Sequence, residues 1–371
     1  MSSLPSMMKA GVVRRDSSGF SFHITTVPLP QLAPTDILVR LTATGVCGTD
    51  IGLASGKLGP THEILGHEGV GRIVALGSAV PAASSSSSSP CAPDAVAVGA
   101  RVGLAWLRDA CGACAFCLHP GGETRCAARR NSGRAGVGGT FAEYAVVPAR
   151  YVVGVPDELG VRDDAVAPVL CGGVTAYKAL RESGVAAGGW VAVSGAGGGV
   201  GAFAVQYAAA MGCRVVALDA GDAKRAYCLA LGAEAYVDVA DEDQDVVAAV
   251  RSVTAGAGVA AALAIAGTAK AYQAALEFLG PFGTLVCVGI PPPWETVSFH
   301  PLLFIDKGVR IVGSAVGTRE DIRDALGFVA RGLVKPTVLP AKLEDLPHIA
   351  NTFAQVTGKY VIKFGESDSE D

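Results

Sequence analysis

The segment 190–211 constrains the fold more than any other part of this chain. Residues 190–194 read as a short apolar strand, 195–201 as a glycine-rich turn and 202–211 as an Ala-rich helix. In that order a backbone without side chains can approach a pyrophosphate, whose charge meets the open N–H groups at the helix start. The best register of the G-x-G-x-x-G pattern is Ala196, Gly198 and Gly201, so its first position departs to alanine. Gly195, Gly197 and Gly199 add freedom, and Val200 completes the turn. A second strand, 214–218, ends in Asp219, about 20 residues further on, where a carboxylate would take both ribose hydroxyls and repel a 2′-phosphate. This predicts NAD(H) rather than NADP(H), with Lys224 reaching the same ribose. The plain alternative, a glycine turn and a solvated Asp with no ligand, does not account for the flanking strand and helix.

From 190 to 364 apolar runs alternate with Ala-rich amphipathic stretches, among them 214–218, 223–231, 272–279 and 284–288. Strand then helix, repeated, implies a doubly wound parallel sheet. The first third reads differently: 37–45 and 69–76 are short, β-branched and bounded by Gly or Pro, as in a compact β-rich domain. With 371 residues the chain is comfortable for two domains. The run Ser84 to Ser89, flanked by Pro81, Pro90 and Pro93, reads as a surface-loop insertion, and 365–371 as a frayed acidic tail.

Composition narrows the partners. A net charge of −4, with Lys and Arg scattered, gives no basic face for nucleic acid. No apolar run reaches the roughly 18 to 20 residues that span a bilayer. The start carries no secretory or transit pattern, so a soluble, cytoplasmic protein is expected. In that setting ten cysteines point away from a disulfide framework.

Cys111, Cys114, Cys117 and Cys126 fall within sixteen residues. Four soft thiolates close a tetrahedral zinc with no open position, a structural site. A second set is dispersed: Cys47 in GVCGTD, His67 and Glu68 in GHEGVG, and Cys171 in APVLCGGVTAYKAL. Singly, each has a bland reading as a packed thiol or a satisfied side chain.

Together with VSGAGGGVG, Asp219, VGSAVGTRED and ARGLVKP, these segments closely resemble the zinc-containing alcohol dehydrogenases of the medium-chain dehydrogenase/reductase superfamily, particularly the yeast and fungal branch. The resemblance covers nearly the whole chain except the serine run and the acidic tail. It implies an α/β architecture: a GroES-like β-rich catalytic domain, 1–165 and 318–371, with a structural zinc lobe at 108–130, and a Rossmann NAD-binding domain, 166–317. It also implies that Cys47, His67 and Cys171 bind a catalytic zinc, with Glu68 beside it as a transient ligand. Asp50 would orient His67, and Thr49 would pass the hydroxyl proton toward the cofactor. Thr175 and Val288 would lie near the nicotinamide, Ser314 and Val316 would also bind the cofactor, and Arg319 would contact the pyrophosphate. Zinc and nicotinamide would meet in the cleft between the domains, and a homotetramer is favoured over a dimer.

Three departures bear on the substrate. Gly48 stands where the family often has a basic residue, and Gly52 where a relay histidine is expected. Leu58 stands near the position of a bulky tryptophan, while Trp106 keeps a wall of the alcohol pocket. A wider pocket and an alcohol or aldehyde larger than ethanol are therefore expected. Proton exit is left to His62 or to water beyond Thr49. Two rivals are weighed. A zinc-free enone reductase on the same fold would not need Cys47, His67 and Cys171 together. A zinc-ribbon interaction module, which Arg125, Arg129, Arg130 and Arg134 would suit, leaves the rest of the chain unexplained.

Overall fold

A computed structural model describes residues 4–17, 19–81, 96–353 and 356–365. The serine run lies outside the described residues, as does the acidic tail beyond Gly365. The chain divides into two compact units: 1–171 with 318–330 and 336–371, and 172–317 with 331–335. The sequence reading draws its border at 165/166, six residues earlier than the compact units do, which leaves Cys171 in the first unit.

The first unit is built on β structure. Met7–Asp16 and Gly19–Pro28 form an antiparallel pair. A seven-stranded sheet follows in the order Val338–Ala341, Lys359–Lys363, Asp36–Gly45, Gly69–Leu76, Arg101–Leu104 and Val153–Gly154, with Tyr144–Pro148 also pairing Asp36–Gly45. Only Val338–Ala341 and Lys359–Lys363 run parallel; the other pairs are antiparallel. Apolar clusters hold the unit together, two of them large. Ile37, Val39, Ile73, Val102 and Val147 fill one; Val12, Phe22, Leu65, Phe141 and Leu346 fill the other. Val361 stands opposite Gly45 and Ile362 opposite Thr44, so the strand from the far end of the chain reaches the loop that carries Cys47.

The second unit is a six-stranded parallel sheet in the order Ala235–Asp238, Arg214–Asp219, Trp190–Ser194, Val259–Ala264, Leu279–Cys287 and Arg310–Gly313. Chain order reverses at Trp190–Ser194, the switch point at which doubly wound sheets bind their ligands. The central strands are buried on both faces, so they are continuous runs of small and branched apolar residues; Val191 and Val193 are fully buried. Gly201–Ala210 is buried from Gly201 through Ala208, which suits its Ala-rich sequence. Among the described residues no helix is long and apolar enough to cross a membrane.

Candidate metal centres and dinucleotide site

Cys47, His67, Glu68 and Cys171 come from three separate parts of the first unit, yet one ligand atom of each lies within 4.8 Å of all the others. The two thiols are 3.9 Å apart, and His67 Nε2 is 3.2 Å from Cys171 Sγ. A tetrahedral zinc with ordinary bond lengths would set two sulfurs about 3.8 Å apart, and a sulfur and a nitrogen about 3.6 Å apart. Two thiols and an imidazole match zinc in softness as well as spacing.

The ligands are held by a buried polar network. Asp50 follows Cys47 at the start of helix Gly48–Ala54 and is fully buried. Its carboxylate accepts three N–H groups: Cys47 N at 3.1 Å, Gly66 N at 3.1 Å and His67 Nδ1 at 2.8 Å. One side chain thus positions two expected ligands and leaves His67 Nε2 facing the thiols. Burial opposes charge on His67, but the Asp50 charge and hydrogen bond, helped by Cys47, hold the imidazole well above its usual range. The hydrogen bond from Cys171 holds the Cys47 thiol well below the usual thiol range, while Cys171 is pushed up.

Glu68 has a partner that sequence reasoning missed. The Lys359 ammonium donates to Glu68 Oε1 in a buried ion pair. Glu68 Oε2 is buried without a hydrogen-bond partner, an open acceptor beside the ligand cluster. Burial pushes the Glu68 carboxyl up to about 7, against the pull of Lys359. A Cβ on Gly45 would come within 2.0 Å of Oε2, so this carboxylate fits only because the strand ends in glycine. The one sequence signal for Lys359 is its alternation with Val361, which places a lysine in phase with the inward face of a strand.

Cys111, Cys114, Cys117 and Cys126 form the second cluster. Cys111 lies 3.8 Å from Cys117 and 3.6 Å from Cys126, again the spacing of a tetrahedral metal. Cys126 is fully buried, and its sulfur accepts the Cys111 N–H at 3.5 Å. Backbone N–H groups of Ala113 and Cys114 draw the Cys111 thiol down to about 6.

In the second unit, Gly195 takes a left-handed conformation with φ of 68°. A Cβ on Gly201 would lie 2.0 Å from the Gly195 oxygen, so only glycine lets helix and strand meet here. Asp219 closes the turn: its carboxylate accepts Gly197 N at 2.8 Å and Ala220 N at 2.8 Å, and pairs with Lys224 at 2.7 Å. Gly198 N bonds back to Gly195, while Gly199 and Val200 lead into the helix. Ala196 is buried, so the alanine in the first pattern position meets packing rather than solvent. Beside the turn, Ser194, Gly195, Leu218, Asp219, Ala266 and Thr268 border a largely apolar cavity of about 240 Å³.

Residues 33–157 match the alcohol dehydrogenase GroES-like domain, and 199–331 match the zinc-binding dehydrogenase domain. Alcohol dehydrogenase 1 of Emericella nidulans is 39% identical over 371 residues, covering 98% of this chain and 100% of that protein. An alcohol dehydrogenase of Geobacillus stearothermophilus is also 39% identical, over 97% of this chain and 100% of its own. The chain belongs to the zinc-containing alcohol dehydrogenases. The likeness is equal for a fungal and a bacterial member, so it does not single out the fungal branch. Among solved structures, acetophenone reductase from Geotrichum candidum in complex with NAD superimposes with a TM-score of 0.80 at 25% identity, over 98% of each chain.

The remaining expected residues of this alcohol dehydrogenase fall as follows. Trp106 packs edge-on against His67, with ring centroids 5.2 Å apart. Thr49 is partly buried on the first turn of helix Gly48–Ala54. The space vacated at Gly48 and Gly52 is refilled: Phe353 stands 3.4 Å from a Cβ at Gly48, and Leu58 stands 3.0 Å from one at Gly52. His62 uses Nδ1 to accept the Ile64 N–H and borders a different cavity of the first unit. Arg319 stacks on Tyr151 at 4.5 Å and donates to the Arg150 carbonyl, so in this structure its guanidinium is engaged within the first unit. In the second unit Thr175 is buried, Val288 N bonds to the Ala264 carbonyl, and Val316 has φ of 40°. Ser314 Oγ is buried without a partner.

Proposed function

We propose that this alcohol dehydrogenase interconverts an alcohol and its carbonyl compound with NAD(H), using one zinc at Cys47, His67 and Cys171 and a second at the four-cysteine lobe. The reading is carried by the convergence of Cys47, His67 and Cys171, with the Asp50 brace behind His67. When bound, zinc supplies Lewis-acid polarisation of the substrate oxygen, and nicotinamide supplies or accepts the hydride. Asp50 keeps His67 in one tautomer. Lys359 restrains Glu68, whose open Oε2 gives the carboxylate a second place to go. Thr49 takes the hydroxyl proton and passes it to water, since Gly52 offers no side chain and His62 faces elsewhere. Trp106 and Leu58 bound the substrate.

Asp219 discriminates for NAD by accepting ribose hydroxyls and repelling a 2′-phosphate, with Lys224 released to the same ribose. The cavity beside it takes the adenine. The glycine turn 195–201 takes the pyrophosphate, Arg319 is the side chain offered to it by family position, and Thr175, Val288, Ser314 and Val316 receive the nicotinamide. The substrate is larger than ethanol, supported by leucine at position 58. A homo-oligomer, tetramer before dimer, is supported by the edge strand Arg310–Gly313 and by exposed Ile290, Trp294 and Ile305 in the same unit. A cytoplasmic location is supported by Cys213, Cys228 and Cys287, which form no disulfide beside the six cysteines assigned to zinc.

The test is absorbance of reduced nicotinamide with NADH or NADPH and aldehydes of graded size, before and after chelation. NADH oxidation that chelation abolishes, and that favours benzyl-sized aldehydes over acetaldehyde, is expected. Turnover insensitive to chelation would return the weight to a zinc-free enone reductase, and a preference for acetaldehyde would remove the size assignment alone.

A further inference from the structure

A second cavity, of about 290 Å³, lies in the first unit and shares no residue with the metal cluster. Its walls include Met8, Ile64 and Val137, and its polar lining includes Arg108, Arg130 and His62. Arg108 is 1% exposed, and among the largest fully buried side chains of the described residues it alone carries a charge. Its Nη2 donates to Ser132 Oγ at 3.0 Å. Nε and Nη1 are buried without any hydrogen-bond partner. Among the described residues no carboxylate pairs with it: neighbouring Asp109 is taken by Arg150 at 2.9 Å, and Asp36, on the cavity wall, accepts from Thr35. Burial without a counter-charge works against the guanidinium, and such a group is costly unless something pairs with it.

His62 adds a second donor. Its Nδ1 accepts the Ile64 N–H at 3.0 Å, so the neutral ring carries its proton on Nε2. Arg130 is held at the cavity by a bond to the Gly136 carbonyl. The lining thus offers N–H donors with apolar walls beside them, while its two carboxylates are engaged elsewhere, Asp36 by Thr35 and Asp109 by Arg150. A volume near the lower end of ligand pockets limits the occupant to a small molecule.

We infer that this cavity is a binding site for a small carboxylate with a short apolar tail, its carboxylate meeting the free nitrogens of Arg108 and its tail resting on Met8, Ile64 and Val137. The site is independent of the zinc and nicotinamide reading. Its occupant completes the hydrogen bonding of a guanidinium that the protein leaves unfinished. Through Ser132, which donates to the Gly66 carbonyl at 2.7 Å, the site adjoins the segment bearing His67.

The experiment compares melting of the zinc-loaded wild type and Arg108→Met with sodium butanoate, acetate, inorganic phosphate and chloride at matched ionic strength. For the wild type we expect a saturating rise of roughly 2 to 4 °C with butanoate, less with acetate and none with chloride. Arg108→Met should match or exceed the wild-type melting temperature without ligand, because it removes a buried unpaired charge, and should not respond to butanoate. An equal response in both proteins would place the carboxylate at the catalytic centre and overturn the proposal, as would a wild type that responds only to phosphate or to nothing. Should the variant fail to fold, the wild-type crystal structure with butanoate decides: density joined to Arg108 supports the site, and water alone overturns it.

Discussion

Asp50→Asn keeps the shape of the side chain that braces the metal cluster and exchanges one acceptor for a donor. The cost follows from which oxygen accepts what. Oδ1 takes both Gly66 N and His67 Nδ1, whereas Oδ2 takes only Cys47 N. An amide nitrogen at the Oδ1 position would oppose two donors, so it takes the Oδ2 position and faces the Cys47 N–H. One buried N–H then loses its acceptor, at about 1 to 3 kcal/mol, and the bond to His67 loses the charge that makes it about twice as strong as a neutral one. The bond to His67 Nδ1 sets how well the imidazole serves as a zinc ligand, so the part of the penalty that passes through His67 falls on the loaded form. It converts to roughly 5- to 150-fold in zinc affinity, which brackets the roughly 10- to 100-fold typical of residues that orient metal ligands. Competition with a chromophoric chelator measures it, and the four-cysteine cluster, which Asp50 does not touch, serves as an internal reference. One zinc should leave at lower chelator while the other is unchanged, with kcat/KM falling in step with occupancy. If Asp50→Asn holds its more labile zinc within twofold of wild type, the carboxylate is only a packing element and the reasoning fails.

Lys359→Met should cost about 3 to 5 kcal/mol of stability by stranding Glu68 in a buried pair; the double variant Lys359→Met, Glu68→Gln should recover most of it, and equal denaturant midpoints for the single variant and wild type would contradict the pairing. Asp219→Ser should raise the NADPH-to-NADH ratio of kcat/KM at least about tenfold by removing a charge repulsion and freeing Lys224. It should also weaken both cofactors, because Gly197 and Ala220 lose their acceptor, and an unchanged ratio would show that Asp219 does not read the ribose.

What was legible in the sequence was local. The four cysteines of the lobe lie within one short stretch, and the strand, glycine turn and helix are consecutive, so spacing alone carried their chemistry. Asp219 was legible because a parallel strand of known length separates it from the turn. The dispersed ligands needed a family pattern, since nothing in the spacing of Cys47, His67 and Cys171 links them. Lys359 stands 291 residues from Glu68, and no local signal names its partner. Phe353, and the packing of Leu58 against Gly52, escaped for a related reason: a glycine reports the side chain it lacks, not the neighbour that moves into the space. Arg108 carries no signal of burial in the sequence, because Leu107–Asp109 is too short to show which face is inward.

These non-local groups converge on one tripeptide. Gly66 donates to Asp50 and accepts from Ser132, His67 donates to Asp50, and Glu68 is held by Lys359. Gly66 itself has φ of 97°, and a Cβ there would strike Thr140 and Phe141 at 2.6 to 2.7 Å, so the backbone cannot slide to absorb a change. Each residue of the segment is therefore fixed by a side chain from a different part of the chain, in a region too well packed to relax. A substitution that removes any one of these partners leaves a buried polar group unpaired, and the desolvation penalty of that group exceeds the net worth of the hydrogen bond itself. By this logic the precision of the ligand cluster resides less in the ligands than in Asp50, Lys359 and Ser132, and variants of those three should disturb zinc affinity even though none of them touches the ion.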